Sequence, residues 1–130
     1  MRRSHFLSCA ALGALLAAVP AAAHHAASVA YDLEKVIAVR GTITEVKWEN
    51  PHTWVYVEVK DADGTIVKWG FEGPVPNQLY RRGLTPSVLK AGVQVSIKAH
   101  PARDAARNFG ELMEVVTAEG RSLLPGGRGQ

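Results

Sequence analysis

The sequence predicts a mainly β fold, a small five-stranded barrel with a helical insert between strands three and four. Three observations carry this. Runs of alternating β-branched residues recur along the chain after Val36. A Gly/Pro-rich stretch with two helical signals interrupts them once. The chain, at 130 residues, is one domain at most.

The first strand is "VIAVRGTITEVKW". Ile37, Val39 and Ile43 share one parity, whereas Val46 and Trp48 share the other. A strict period of two cannot place both sets on one face. An extra residue near Thr44 and Glu45, a β-bulge, restores the phase and bends the strand, as closing a small barrel requires. Asn50-Pro51 then breaks the run. "TWVYVEVK" is the clearest strand: Thr53, Val55, Val57 and Val59 face one way, and Trp54, Tyr56, Glu58 and Lys60 the other. "DADG" makes a hairpin turn, with Gly64 able to take positive φ. "TIVKWGFE" returns, with Val67, Trp69 and Phe71 toward the core.

The insert follows. Asn77 is placed to cap a short helical turn ending at Gly83. In "LTPSVLKAG", Thr85 fits an N-cap, Pro86 the first helical position and Gly92 the residue past the end. "VQVSIKA" alternates again, with Val93, Val95, Ile97 and Ala99 inward. "HPARDAARNFG" reads as a polar loop, "ELMEVVTAEG" as the fifth strand, and "RSLLPGGRGQ" as a short strand or a tail. Three meandering strands, an insert and two more strands is the order of an OB-fold, a Greek-key barrel. Another small open barrel or sandwich with a helical plug shares this spacing.

The beginning of the chain has a different character. Arg2 and Arg3 precede an apolar run of about fourteen residues, the length of a signal h-region and short for a membrane span. Pro20 breaks the run, and Ala21-Ala22-Ala23 forms an A-x-A cleavage site. The predicted organisation is a signal peptide over 1–23, a lead-in over 24–35, the barrel over 36–124 and a tail over 125–130. Cleavage leaves no stable membrane anchor and places the protein in the periplasm or outside the cell. The one cysteine, Cys9, lies in the signal segment, so the mature domain has no disulfide or thiolate chemistry and relies on its core.

Charge excludes one class of partner. Removing Arg2 and Arg3 from fifteen basic residues leaves thirteen against twelve acidic ones. No Lys/Arg run exceeds Arg81-Arg82, which can hold an anion at most. A nucleic-acid binder carries a basic stripe, so nucleic acid is not the expected partner. Hydrolase signatures are missing too: there is neither a G-x-S-x-G elbow nor an H-E-x-x-H helix. No catalytic residue is assigned.

The stretch "WENPHTW" concentrates the candidate chemistry. His52 follows a Pro turn between two strands. It is either a corner residue, hydrogen-bonded to backbone with both tryptophans packed around it, or a ligand-binding polar handle. Trp54 and Tyr56 share the outer face of strand two, where OB-folds bind ligands. Trp48, His52, Trp54 and Tyr56 are therefore the candidate ligand-binding set, for a small-molecule or protein partner. The bland alternative is that the chain's own ends cover the aromatics. A second constellation concerns metal. Cleavage after Ala23 would expose His24-His25, whose terminal amine and imidazole can chelate one ion. His52 or His100 would add a third nitrogen, giving a site suited to copper. His100, with Arg103 and Asp104, belongs to the polar loop near a barrel mouth.

The exported "AHH" start, "GTITEVKWENPHTWVYVEV", "WGFEGPVPNQLYRRGLTPSVLKAGVQVSIKAHPARD" and terminal "VVTAEGRSL" together resemble a family of short exported bacterial proteins, domain of unknown function 6152. The resemblance runs from about His24 to Leu123. It implies a small exported β-barrel and supplies no activity or catalytic residue. The expected function is a non-catalytic binding or accessory module of the bacterial envelope, or alternatively a periplasmic copper-binding protein.

Mass spectrometry of the exported protein should find His24 as its first residue. An intact Met1, or a start beyond His25, would overturn both the cleavage assignment and the amine-histidine chelate.

Overall fold

The computed structural model describes residues 28–123. His24, His25 and the signal-like segment lie outside the described residues. Five strands form one closed barrel: β1 (Ile37–Lys47), β2 (Trp54–Lys60), β3 (Ile66–Glu72), β4 (Gln94–Pro101) and β5 (Phe109–Thr117), with the short helix α1 (Pro76–Arg81) between β3 and β4. Around the barrel the order is β1-β2-β3-β5-β4. β3 and β5 run parallel, and β4 closes the circle antiparallel to β1. This is the predicted OB-like barrel with its insert.

β1 closes the barrel because it pairs along both edges. Its first half pairs with β4, from Ile37↔Ala99 to Thr42↔Gln94. Its second half pairs with β2, from Thr42↔Glu58 to Lys47↔Trp54, with the register slipping between Ile43 and Glu45. That slip is the bulge the broken parity called for. It lets Val39 and Ile43 lie buried while Val46 and Trp48, of opposite parity, also pack on the core. The insert ties back to the same point. Ile43 N–H donates to Val93 O at 2.9 Å, and Gly92 N–H donates to Ile43 O at 2.8 Å.

The core takes its side chains from the inward parity of each strand. Thr53, Val55 and Val57 of the second strand region, Phe71 of β3, Val95, Ile97 and Ala99 of β4, and Leu112 and Val115 of β5 are buried. Trp69 is only partly buried; it stacks on Phe71 with centroids 5.8 Å apart. Leu79, Leu84 and Leu89 of the insert are fully buried in the same cluster. Burying each such leucine stabilises by roughly 1.5–3 kcal/mol, so the insert is an integral part of the core.

Three local expectations are corrected. The residue before α1 is Val75, whose side chain makes no capping bond, and Pro76 occupies the first turn. Asn77 lies inside the helix, because proline's fixed φ already starts it at the preceding position. The Thr85-Pro86 signal yields a hydrogen-bonded turn, with Val88 and Leu89 N–H donating to Thr85 O, and no helix follows. The chain must instead rise again to meet Ile43. The supposed polar loop from His100 is shorter, since His100 and Pro101 end β4 and Phe109 and Gly110 begin β5. The lead-in is partly built into the barrel: Tyr31 is 6% exposed, bridges Ala102, and is followed by Asp32 N–H donating to Pro101 O at 2.9 Å. At the other end Leu123 is buried and donates to Val115 O.

The crossing at Gly41 tolerates no side chain. A Cβ there would stand 2.2 Å from Glu58 O and 2.7 Å from Val57 Cγ1. Both are fixed parts of β2. Gly41→Ala should therefore cost about 3 kcal/mol or more, in the range of severe backbone-packing substitutions. Gly83, with φ +79° and open space around its Cβ position, supplies a contrast. Gly83→Ala should cost only the left-handed penalty of about 1–2 kcal/mol. Urea denaturation of both variants checks the ranking; equal losses would contradict the close approach.

Candidate ligand-binding face

The outward parity of the strands arranges the candidate residues in two rows across the barrel wall. One row runs Lys47, Trp54, Glu72, Glu111, His100, each residue registered against the next on the neighbouring strand. The second runs Glu45, Tyr56, Gly70, Phe109. The Trp54 and Tyr56 rings lie 18° from parallel with centroids 6.3 Å apart. Phe109 meets Trp54 edge-on at 5.9 Å and 80°. Lys47 Nζ sits 5.4 Å above the Tyr56 ring, and the Arg107 guanidinium 5.5 Å from the Phe109 ring. The result is a band of three partly exposed aromatics with a cation at each end, each cation–π contact contributing about 0.5–1 kcal/mol at such exposure.

Gly70 makes the band possible. A Cβ at this position would lie 2.6 Å from Phe109 Cε1 and 3.3 Å from Tyr56 Cε1. The rings from β2 and β5 therefore occupy the space above β3. Phe109 was not among the sequence-level candidates. The signal that could have found it is the outward glycine in "KWGFE", which marks a close approach.

Beside the aromatics lies a polar cluster. The Tyr31 hydroxyl donates to Glu72 Oε2. His52 Nδ1 stands 3.3 Å from Gly73 O and 3.4 Å from Glu72 Oε1. Both partners accept, so Nδ1 is the donor to them. Glu111 Oε2 is buried and has no hydrogen-bond partner. The Tyr31 phenol is raised well above its ordinary value, first by burial and then by its hydrogen bond to Glu72, with the Glu72 and Glu111 charges adding and Arg107 opposing.

The sequence-level candidates are thus divided. Trp54 and Tyr56 stand on one face, and His52 joins them through Glu72. Trp48 does not. Its ring packs on Tyr80 of α1 at 5.4 Å and against the core. The tryptophans accordingly do not enclose His52, whose side chain is 50% exposed. The bulge turns Trp48 inward, while Trp54 keeps the outward parity of β2. The Asn50–Pro51 peptide of this corner is cis.

The metal constellation is likewise divided. His100 Nδ1 donates to Lys35 O at 2.7 Å. Among the described residues no three His, Cys, Asp or Glu side chains come together as a metal site. His24 and His25 are not among those residues.

Geometry and topology define a small closed β-barrel of OB-like order with an aromatic outer face. The chain belongs to the family of unknown function DUF6152, whose model matches residues 13–110. No curated protein and no solved structure matches it.

Tyr31→Phe should destabilise the protein by about 1–3 kcal/mol at neutral pH, the cost of losing a part-buried hydrogen bond to a charged acceptor. The raised phenol also sets a pH dependence. Below about pH 10, the ordinary tyrosine value, Tyr31 is protonated whether folded or unfolded. Above it the unfolded chain loses that proton first, so the stability contributed by Tyr31 declines with rising pH. The gap between wild type and Tyr31→Phe should therefore narrow above about pH 10 in denaturation curves. A gap constant with pH would contradict the protonated Tyr31–Glu72 bond.

Proposed function

We propose that the protein is an exported, non-catalytic binding module of the bacterial envelope, with the Trp54–Tyr56–Phe109 band as its ligand face. One observation carries the reading. Three aromatics are gathered over a glycine on the outer side of a closed barrel, where core packing does not need them. The strongly buried residues are supplied by the opposite parity of the same strands. The band crosses β2, β3 and β5, and the second and third strands of OB-like barrels commonly form the ligand face. Export is supported by the basic, apolar and A-x-A segments at the start of the sequence. Among the described residues no helix is long and apolar enough to cross a membrane.

The chemistry suits recognition. Aromatic rings supply a large apolar contact at low entropic cost, and a few polar groups at the margin fix orientation. Lys47, Arg107, Glu111 and the His52–Glu72 pair provide that margin.

The protein has three tryptophans. A Trp48→Phe/Trp69→Phe variant leaves Trp54 as the sole indole reporter. Titration with small-solute, glycan and protein fractions of a bacterial envelope extract should shift its emission saturably with one fraction. Adding Tyr56→Ala should weaken that response about tenfold, consistent with a contact residue worth more than 1 kcal/mol. A Trp54 signal unresponsive to every fraction would overturn the proposal.

A further inference from the structure

We infer that the occupant of the outer face is a neutral oligosaccharide, an inference that rests on the binding reading above. Three features of the face point to this chemistry.

The first is shape. The Trp54 and Tyr56 rings are within 18° of parallel with centroids 6.3 Å apart, and Phe109 stands edge-on beside Trp54. These are two near-parallel, partly exposed rings with a third set edge-on to one of them. The electron-rich face of an aromatic ring attracts the positive edges of C–H bonds. A pyranose ring presents a flat C–H face and carries its hydroxyls around the rim. A sugar packed on such an exposed ring leaves its hydroxyls at the margin of the cluster.

The second is hydrogen bonding. A hydroxyl both donates and accepts, so a sugar needs both kinds of partner around the rings. Glu111 Oε2 is an acceptor, buried and without a partner, two residues along β5 from Phe109. Lys47 and Arg107 are donors held at the two ends of the band. The half-exposed His52 ring stands beside Glu72.

The third is charge. A nucleic-acid strand would also stack on aromatics, but it needs a basic groove along its phosphates. Here Glu45, Glu72 and Glu111 lie in the same two rows as Lys47. The two cations at the ends of the band are outnumbered, and a polyanion would meet carboxylates in both rows. A neutral ligand rich in hydroxyls meets no such repulsion.

Isothermal titration of the processed full-length protein with cellotetraose, the N-acetylglucosamine tetramer and a ten-residue oligothymidylate tests the inference. At least one tetrasaccharide should bind and the oligothymidylate should not. Trp54→Ala should weaken saccharide binding at least tenfold, whereas Trp54→Phe should retain most of it. Glu111→Gln should weaken binding by a smaller factor, about threefold, and Arg81→Ala on α1 should leave it unchanged. Circular dichroism checks that each variant folds, and the Phe variant keeps the test decisive if the Ala variant does not. Oligothymidylate binding without saccharide binding would overturn the inference. So would saccharide binding indifferent to Trp54→Ala in a folded protein. Sedimentation showing a dimer that Trp54→Ala dissolves would assign the face to a second copy and overturn it too. If both saccharides fail while the Trp54 reporter still responds to a small-solute or protein fraction, the saccharide assignment falls and the binding role stands. If the reporter responds to nothing, both fall.

Discussion

The structure depends on β1 being hydrogen-bonded along both edges. A single eleven-residue strand serves β4 with its first half and β2 with its second. For this it must bend sharply, and the bend has two local causes. A bulge after Ile43 shifts the register, and Gly41 allows β2 to approach within a distance no Cβ would permit. The insert returns to that same corner through Gly92 and Val93, so its three leucines are delivered to the core. A closed barrel has no free strand edge, which removes the commonest route of β-protein aggregation.

Closure also determines what the outer wall can display. With alternate residues committed to the interior, everything outward is available for display in straight rows. The rows are formed by register, and Gly70 then changes one of them. By leaving the wall empty at its centre, it lets side chains from two non-neighbouring strands meet across it. Glu72 plays the complementary part in the adjoining row. It collects the Tyr31 hydroxyl from before β1 and the His52 ring from the β1–β2 corner, which fixes one margin of the aromatic band.

Much of this was legible in the sequence. The parity break in β1 announced the bulge, the alternation in "TWVYVEVK" sorted Trp54 and Tyr56 outward, and the order of segments gave the barrel. Such inferences succeed because a two-residue period is a local property of the chain. What was missed is non-local. Phe109 enters the site only through parallel pairing with β3, and Tyr31 through a bond to a residue 41 positions away. Trp48 was grouped with Trp54 because they are close in sequence, yet the bulge and the corner send their rings to different neighbours. The Thr85-Pro86 signal shows the converse error, a correct local turn whose continuation is overruled by the need to reach Ile43.

The parallel pairing of β3 with β5 has a consequence for motion. It is the shortest junction in the barrel, three registered pairs from Gly70↔Phe109 to Glu72↔Glu111, where β2 and β3 share seven. Short junctions open at lower free energy than long ones, so this is the seam where the closed wall parts most readily. The aromatic band straddles it, with Trp54 and Tyr56 on one side and Phe109 on the other. Any molecule laid across the band acts as a stitch, favouring the shut wall by mass action. Amide protons along the seam would then report occupancy of a surface to which they themselves make no contact.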